Sequence, residues 1–265
     1  MSPYRFALIG SRWRAAFYAR IAEKMPDRFQ LTGTWVHSPE KAQAWIQQFG
    51  KKLYARPEDA LSDQPDFVVL ALNKQFSLPY IQDILKADIP VLLETPPAVR
   101  IPDLFQVWEL AKERHAPVLV AEQYPDQPYF SAWKNAVDHG FIGEVSNLSI
   151  SMVHGYHAMA IIRSFLGTRG EKARITGCQH HFPVIKTGDR NGMILNGEPH
   201  SPPRDRAEIR FESGKTAFYD FSGEQYHSTI RSSHFAVQGD RGEIYDHSIR
   251  FLNSMGYPVE EELLR

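Results

Sequence analysis

The stretch Tyr4–Ala15, YRFALIGSRWRA, constrains the fold of this chain more than any other. A short apolar run, Phe6–Ile9, ends at Gly10, and the residues from Trp13 onward have the composition of a helix. A buried strand that turns at a glycine into a helix places the unpaired N–H groups of the first helical turn beside the end of the strand. Those N–H groups and the helix dipole favour a bound anion. The pattern therefore predicts an anion site at this turn.

The spacing of the turn fits the G-x-G-x-x-G pattern of dinucleotide-binding turns only in part. Gly10 matches the first glycine, whereas Arg12 and Ala15 occupy the second and third positions. Arg12 and Arg14 lie at the first helical turn, where the helix dipole disfavours a cation. An anion held between these arginines and the helix N-terminus would reverse that effect. The alternative is that both side chains simply face water.

Composition limits the class of protein. With 265 residues, 43% of them hydrophobic, the chain can bury a core, most simply in two domains. The charges of the 30 basic and 31 acidic residues nearly cancel, so the chain has no net positive charge that would attract nucleic acid or an anionic membrane. One cysteine, Cys178, excludes an intrachain disulfide and indicates a reducing compartment. No bilayer-spanning apolar run and no signal-peptide pattern is present, so we expect a soluble, cytoplasmic protein.

The first half of the chain alternates strand and helix patterns. Strands are predicted at Phe6–Ile9, Gln30–Val36, Asp66–Leu72, Pro90–Glu94 and Pro117–Glu122. Helices are predicted from Trp13, from Glu40 to Gly50, and at Pro57–Leu61, Leu78–Leu85 and Pro102–His115. Strands that alternate with helices in this way over about 120 residues predict an α/β fold with a doubly wound parallel sheet. Ligands bind such sheets outside the carboxyl ends of the strands. The candidate residues at those ends are Gly10, His37, Asn73, Glu94 and Gln123.

The second half has a different pattern, which predicts an α+β domain with a mostly antiparallel, open sheet. Its predicted elements are a helix at Tyr129–His139, a strand at Glu144–Val153, a helix near Tyr156–Phe165, and strands at Ala173–His180, Ala207–Glu212, Thr216–Phe221, His234–Gln238 and Gly242–Tyr245. Between them, Phe182–Arg204 is predicted to be a long loop. The aromatic-rich run Tyr219–Phe235 is placed on strands of the open sheet. It is interpreted either as an oligomer interface or as one wall of a substrate pocket.

Several segments, in their order and spacing, resemble the glucose-fructose oxidoreductase, inositol dehydrogenase and MocA family of nicotinamide-dependent oxidoreductases. They are the Gly10 turn, SPEKA at Ser38, Asn73, LLETPPA at Leu92–Ala98, PVLVAEQY, FIGEV at Phe141–Val145, and HGYHAMAIIRSFLG from His154. The resemblance covers Tyr4 to about Gly167 and extends more loosely to Glu243. It implies a Rossmann NAD(P)-binding domain over residues 1–122. It also implies a substrate-binding and oligomerisation domain over residues 123–265, whose open sheet forms a homodimer or homotetramer contact.

The chain departs from the family pattern at several positions. Thr95 stands where members of the family usually carry a lysine near the nicotinamide and the substrate. In the family's Asp-x-x-x-His-x-x-Asp helix motif, His157 matches the histidine, while Val153 and Ala160 replace the carboxylates on what is predicted to be one helical face. The acidic residue that would bind a ribose 2′-hydroxyl falls at Val36. This position favours NADP over NAD, with Arg12, His37 or Ser38 near the additional phosphate.

The resemblance assigns the candidate site residues. His157 is expected to donate or accept the substrate proton, and Tyr156 and Tyr124 are the alternative hydroxyl donors. Glu94 is expected to orient the cofactor ribose or the backbone. The predicted cofactor contacts are Gly10, Ser11, Arg12, Trp13, Arg14, His37, Ser38, Asn73, Glu94, Thr95, Pro96 and Gln123. No metal site is predicted for the histidines His154, His157, His180 and His181, because the H-E-x-x-H pattern is absent.

Two functions remain open at this point. The first is an NAD(P)-dependent oxidoreductase that transfers a hydride between the nicotinamide and a small polar, sugar-like or cyclic substrate, with no nucleic-acid or membrane partner. The second is a catalytically retired member of the family that acts as a nucleotide-binding or regulatory protein. The missing second glycine, lysine and carboxylates favour the second function, whereas the retained His157 and the two arginines favour the first.

Overall fold

The computed structural model describes residues 2–49 and 52–263. They form two compact units that divide between Glu122 and Gln123. Within those ranges, no helix is both long and apolar enough to cross a membrane.

The first unit is built on a six-stranded sheet. Its strands are β1 (Tyr4–Ile9), β2 (Phe29–Trp35), β3 (Leu53–Tyr54), β4 (Phe67–Leu70), β5 (Val91–Leu93) and β6 (Val118–Val120). They pair in the order β3-β2-β1-β4-β5-β6, and every pair is parallel. This is the strand order of a dinucleotide-binding sheet. The predicted doubly wound α/β fold is confirmed, with β3 as a strand that the sequence pattern did not locate.

Helices cover both faces of this sheet. They are α1 (Trp13–Lys24), α2 (Gln43–Phe49), α3 (Pro57–Ser62), α4 (Ser77–Lys86) and α5 (Ile101–Arg114). Two core clusters result, one that includes Ala15 of α1 and another that includes Ile81 of α4. Because apolar helices pack on both faces, the strands read as continuous apolar runs rather than alternating ones.

The helix predicted from Glu40 is partly wrong. Residues Pro39–Lys41 form a separate 3-10 turn, and α2 begins only after Ala42. The predicted Ser38 cap accepts no capping bond from a backbone N–H, and the Ser38 hydroxyl lies 3.1 Å from Nδ1 of His37 instead. Gly50, which was predicted to end this helix, lies outside the described residues.

The second unit contains an eight-stranded sheet with helices α6 (Pro128–Asp138) and α7 (Gly155–Leu166) packed on one face. Its strands are β7 (Val145–Ser151), β8 (Ala173–His181), β13 (Pro203–Phe211), β14 (Thr216–Ser222), β15 (His234–Gly239), β16 (Gly242–Tyr245), β17 (Ser248–Leu252) and β18 (Pro258–Glu262). The order is β18-β17-β16-β15-β7-β14-β13-β8. Only the β7–β14 pair among these is parallel. The predicted mostly antiparallel, open sheet is confirmed.

Two predictions about the second unit are wrong in detail. The segment predicted to be one long loop contains short antiparallel pairs, because its backbone groups find partners locally. They join β9 (Val184–Ile185) to β12 (Pro199–His200) and β10 (Gly188–Asp189) to β11 (Gly192–Met193). The aromatic-rich run lies on strands only at its two ends, since a 3-10 turn at Gly223–Tyr226 and a loop separate β14 from β15.

Candidate functional site

The turn from β1 to α1 requires glycine at position 10. Gly10 has φ of +131°, and a Cβ there would lie 2.4 Å from the carbonyl oxygen of Ala71. Its N–H donates to the carbonyl of Trp35 at 3.0 Å, which fixes the turn against β2. Ala15, at the third motif position, is fully buried. The turn thus keeps two features of the dinucleotide-binding pattern: the glycine that permits the tight turn, and a small residue where helix and sheet pack closely.

The N-terminus of α1 is open to an anion. Arg12 is its N-cap residue with extended backbone, no side chain caps the helix, and the first turn carries no acidic residue. The exposed Arg12 guanidinium has no ion-pair partner within residues 2–49 and 52–263. Unpaired N–H groups at the positive end of a helix, together with a free cation, provide what a phosphate group binds.

Arg14, in contrast, is held by Glu94. The Arg14 Nε–H donates to Glu94 Oε1 at 2.9 Å, and the Tyr18 hydroxyl donates to the same oxygen at 2.6 Å. The Arg14 guanidinium also lies 5.0 Å from the ring centre of Phe17. Two residues that the sequence assigned separately to the cofactor are therefore bonded to each other. Tyr18, which sequence reasoning did not single out, completes the cluster.

Burial raises the pKa of the Tyr18 hydroxyl well above its ordinary value of 10.0, and the hydrogen bond to Glu94 raises it further. We expect Tyr18→Phe to lower the free energy of unfolding at pH 8 by about 1.5–3 kcal/mol, the usual worth of a hydrogen bond to a charged group. Because Tyr18 ionises near pH 10 when unfolded but only at higher pH when folded, its contribution is complete below pH 10 and is lost above it. Urea unfolding between pH 8 and 11.5 should show the two proteins converging. A difference in unfolding free energy between the two proteins that stays constant over this pH range would contradict this account.

The other predicted cofactor contacts lie at or near strand ends of the first unit. His37 is exposed, and its ring packs edge-on against Trp35. Asn73 is exposed, and its side-chain oxygen accepts from the Gln75 N–H at 3.1 Å. The remaining first-unit contacts are half-buried Ser11, Thr95 and Pro96 and exposed Trp13. Val36 is buried in the core, so its position offers no hydrogen-bond acceptor from a side chain. Gln123 is exposed and is the first residue of the second unit.

In the second unit, tyrosine hydroxyls cap the N-terminus of α7. The Tyr219 hydroxyl accepts from the Gly155 N–H at 3.0 Å. The Tyr226 hydroxyl accepts from the His154 N–H at 3.1 Å and lies 2.6 Å from Nδ1 of the same histidine. The sequence had indicated only the aromatic-rich run around these tyrosines, because their partners lie 64 and 72 residues away in the chain.

The three predicted catalytic residues lie together at this helix end. The ring centre of His157 is 4.4 Å from that of Tyr156, 4.6 Å from Tyr124 and 4.8 Å from His154. The predicted helical face is partly wrong, because Val153 precedes α7 and is buried, so it does not share a helix with His157 and Ala160.

Burial raises the pKa of Tyr226 to about 12, although the N–H of His154 opposes this rise. Burial also raises the pKa of Tyr219 above its ordinary value. Both phenols are therefore protonated at neutral pH. The cluster offers imidazole nitrogens and neutral hydroxyls, which can donate, accept or relay a proton.

The histidines do not assemble a metal centre. His180 lies on β8 with Nε2 3.1 Å from Sγ of Cys178, and His181 Nδ1 lies 3.2 Å from the carbonyl oxygen of Ser201. Across the part of the chain that the structure describes, no three or more histidine, cysteine, aspartate or glutamate side chains are placed to hold a metal ion.

Comparison with known proteins identifies the first unit. Residues 4–122 match the family model GFO_IDH_MocA, described as an oxidoreductase family with an NAD-binding Rossmann fold. The first unit therefore matches this family. The predicted family and its nicotinamide-binding Rossmann fold are thereby confirmed for residues 4–122.

Relatives extend the likeness beyond the Rossmann unit. The NADP(+) D-xylose 1-dehydrogenase of Haloarcula marismortui is 26% identical, over 92% of this chain and 72% of its own length. The dTDP-3,4-didehydro-2,6-dideoxy-alpha-D-glucose 3-reductase of Streptomyces violaceoruber is 24% identical, over 77% of this chain and 66% of its own length. A further curated relative, from Bacillus subtilis, is matched over only 44% of its length.

A solved structure shares the fold over nearly the whole chain. The oxidoreductase from Agrobacterium radiobacter, crystallised with NAD+, L-tartaric acid and magnesium, superposes with a TM-score of 0.76 over 99% of this chain and 80% of that one. Its sequence identity is 16%, so this likeness supports the fold alone.

Proposed function

We propose that this chain is a member of the family throughout and is an NAD(P)-dependent oxidoreductase that acts on a small polar, sugar-like or cyclic substrate. The observation that carries the proposal is the Gly10 turn, set in a Rossmann-order sheet and followed by an uncapped helix N-terminus beside a free arginine. The names of two relatives, a D-xylose dehydrogenase and a dTDP-sugar reductase, support a sugar-like substrate.

In this proposal the first unit binds the phosphates of the cofactor, and a residue of the second unit exchanges a proton with the substrate. Bound NAD(P) supplies the hydride acceptor in one direction and the hydride donor in the other. When an alcohol is oxidised, its O–H proton would pass to a ring nitrogen of His157, and in the reduction His157 would return that proton to the substrate oxygen. Tyr156 and Tyr124 lie within the same cluster and are the next candidates for the proton.

Arg12 is proposed to contact a cofactor phosphate directly. We expect Arg12→Ala to weaken nucleotide binding by about 1–3 kcal/mol, the range for hydrogen bonds to charged groups, without lowering protein stability. Lys24→Ala is the matched control, because Lys24 is an exposed cation in the last turn of the same helix. Calorimetric titration with NADPH compares the three proteins. If the Arg12→Ala and Lys24→Ala proteins bind NADPH with equal affinity, Arg12 does not contact the cofactor.

NADP is proposed to bind more tightly than NAD. Val36 offers the 2′-hydroxyl no side-chain acceptor, whereas Arg12, His37 and Ser38 are candidate partners for a 2′-phosphate. Titrations of the wild type should therefore give a lower dissociation constant for NADPH than for NADH. A clear preference for NADH would show that this part of the proposal is wrong.

The second candidate function is a retired enzyme that keeps nucleotide binding. It is favoured by Thr95 at the family's lysine position and by the pairing of Arg14 with Glu94, which engages two of the predicted cofactor contacts. A screen of sugars, inositols, cyclic ketones and imines for NADPH oxidation separates the two functions. Turnover of at least one substrate supports the enzyme. NADPH binding without any turnover across the screen supports the retired protein.

Assembly and location are part of the same proposal. From the family resemblance, we propose a homodimer or homotetramer formed through the open sheet of the second unit. The free, exposed Cys178 suits a reducing compartment, which supports a cytoplasmic location.

A further inference from the structure

Helix α5 of the first unit presents an apolar stripe to solvent. Ile101, Leu104, Phe105 and Trp108 are 68%, 39%, 64% and 61% exposed. Their spacing of i, i+3, i+4 and i+7 places all four on one face, about 100° wide. The opposite face of α5 is already used, because Val107 is buried in the core of the first unit. The exposed stripe is therefore a second apolar face on a helix that needs only one to fold.

We propose that this α5 stripe is an interface at which two copies of the chain pack helix against helix. Surface aromatic residues concentrate at the centres of protein interfaces, and Trp is the residue type most often found to dominate binding energy. The proposal concerns a surface of the Rossmann unit and does not depend on the proposed enzyme activity.

The area of the stripe fits a pair of copies. With about 150–250 Å² for a whole aromatic side chain and about 60–120 Å² for an aliphatic one, the exposed parts amount to roughly 250–450 Å² per copy. Two copies would bury roughly 500–900 Å² of apolar area. Since such interfaces are about 56–65% apolar, the total interface is roughly 770–1,600 Å², and the upper part of this range is that of stable dimers.

The order of residues along the stripe favours a second copy over a different partner. A two-fold axis between Leu104 and Phe105 sets Ile101 of one copy opposite Trp108 of the other, and Leu104 opposite Phe105. Each aromatic ring then faces an aliphatic side chain. The exposed charges near the stripe have both signs, with Glu109 and Glu113 beside Lys112 and Arg114, so a second copy meets no single-sign repulsion.

The open sheet of the second unit has a different surface. Arg250 lies there between Glu260 at 2.8 Å and Glu243 at 3.7 Å, and Glu208 pairs with Arg210. Phe218, Tyr245 and Leu252 are among its large exposed apolar side chains, at 48%, 53% and 42%. The α5 stripe is therefore proposed as an interface in addition to the open-sheet contact, on a separate surface of the chain.

The oligomeric state tests the proposal. Light scattering coupled to gel filtration, at about 50 µM protein, would compare the wild type with Trp108→Glu and with the control Tyr4→Glu, because Tyr4 is 63% exposed at the start of β1 in the same unit. We expect the wild type to be dimeric or larger, and we expect Trp108→Glu to halve its mass and to weaken association at least ~30-fold, as loss of a hot-spot residue does. A monomeric wild type, or a mass unchanged by Trp108→Glu, would overturn the proposal. Melting temperatures establish that both variants are folded.

A cross-link provides an independent check in the same assembly. Leu104 lies beside the proposed axis, so Leu104→Cys in a Cys178→Ser background should form a disulfide-linked dimer under mild oxidation. Glu113→Cys in the same background lies away from that axis and should not. Equal cross-linking of the two variants would overturn the two-fold arrangement.

Discussion

Replacing His157 with alanine is expected to lower turnover by about 10²–10⁴-fold, the usual worth of general acid–base assistance. Val153 and Ala160 replace the family's carboxylates, and Thr95 replaces its lysine, so His157 is the best-placed group to exchange the substrate proton. Nucleotide affinity should stay unchanged, because the predicted phosphate contacts belong to the first unit. Steady-state kinetics on a substrate from the screen, with parallel NADPH titrations, measures both quantities.

The control for His157 is His139→Ala, since His139 is an exposed histidine at the end of α6 in the same unit. It should leave turnover unchanged. Full turnover by a stable His157→Ala protein would show that His157 does not exchange the substrate proton. Tyr156 and Tyr124 would then be the candidates for that role.

Gly10→Ala is expected to cost roughly 2–6 kcal/mol of folding free energy, since backbone strain and a steric overlap add. The φ of +131° is strained for any L-residue with a side chain, and the new Cβ would lie 2.4 Å from the carbonyl oxygen of Ala71. Neither atom can move without displacing β1 or the residue after β4. A loss of this size is a large part of the 5–15 kcal/mol that usually stabilises a protein.

Gly214→Ala separates the two causes, because Gly214 also has a positive φ, +86°, but a Cβ there meets nothing within 4 Å. This control has the strained backbone conformation without a steric overlap of the new Cβ. It should therefore lose only about 1 kcal/mol of folding free energy. Urea unfolding of the three proteins measures the losses. Equal stability of the Gly10 and Gly214 variants would show that the close approach to Ala71 is not a constraint.

The sequence predicted the fold well where apolar runs were long and bounded by turns. The strand runs at Phe6–Ile9 and Asp66–Leu72 lie on β1 and β4, and Gly167 ends α7 in the left-handed conformation. Strand β3 escaped detection because it spans two residues, too few to show a pattern. The 3-10 turn before α2 escaped because its composition is that of a helix.

The candidate site was harder to predict because its contacts are distant in the chain. The bond between Arg14 and Glu94 joins residues 80 positions apart. No local pattern could have shown that these two predicted cofactor contacts engage each other. Tyr219 and Tyr226 reach the α7 N-terminus only through the pairing of β14 with β7 and the 3-10 turn that follows β14.

The central claim, that the first unit binds a nicotinamide dinucleotide at the Gly10 turn, is tested most directly by calorimetric titration of the wild-type protein with NADPH and NADH. We predict saturable binding with one site per chain, tighter for NADPH, and weakened by Arg12→Ala but not by Lys24→Ala. No binding of either nucleotide at millimolar concentration, in a protein that melts cooperatively, would contradict the claim.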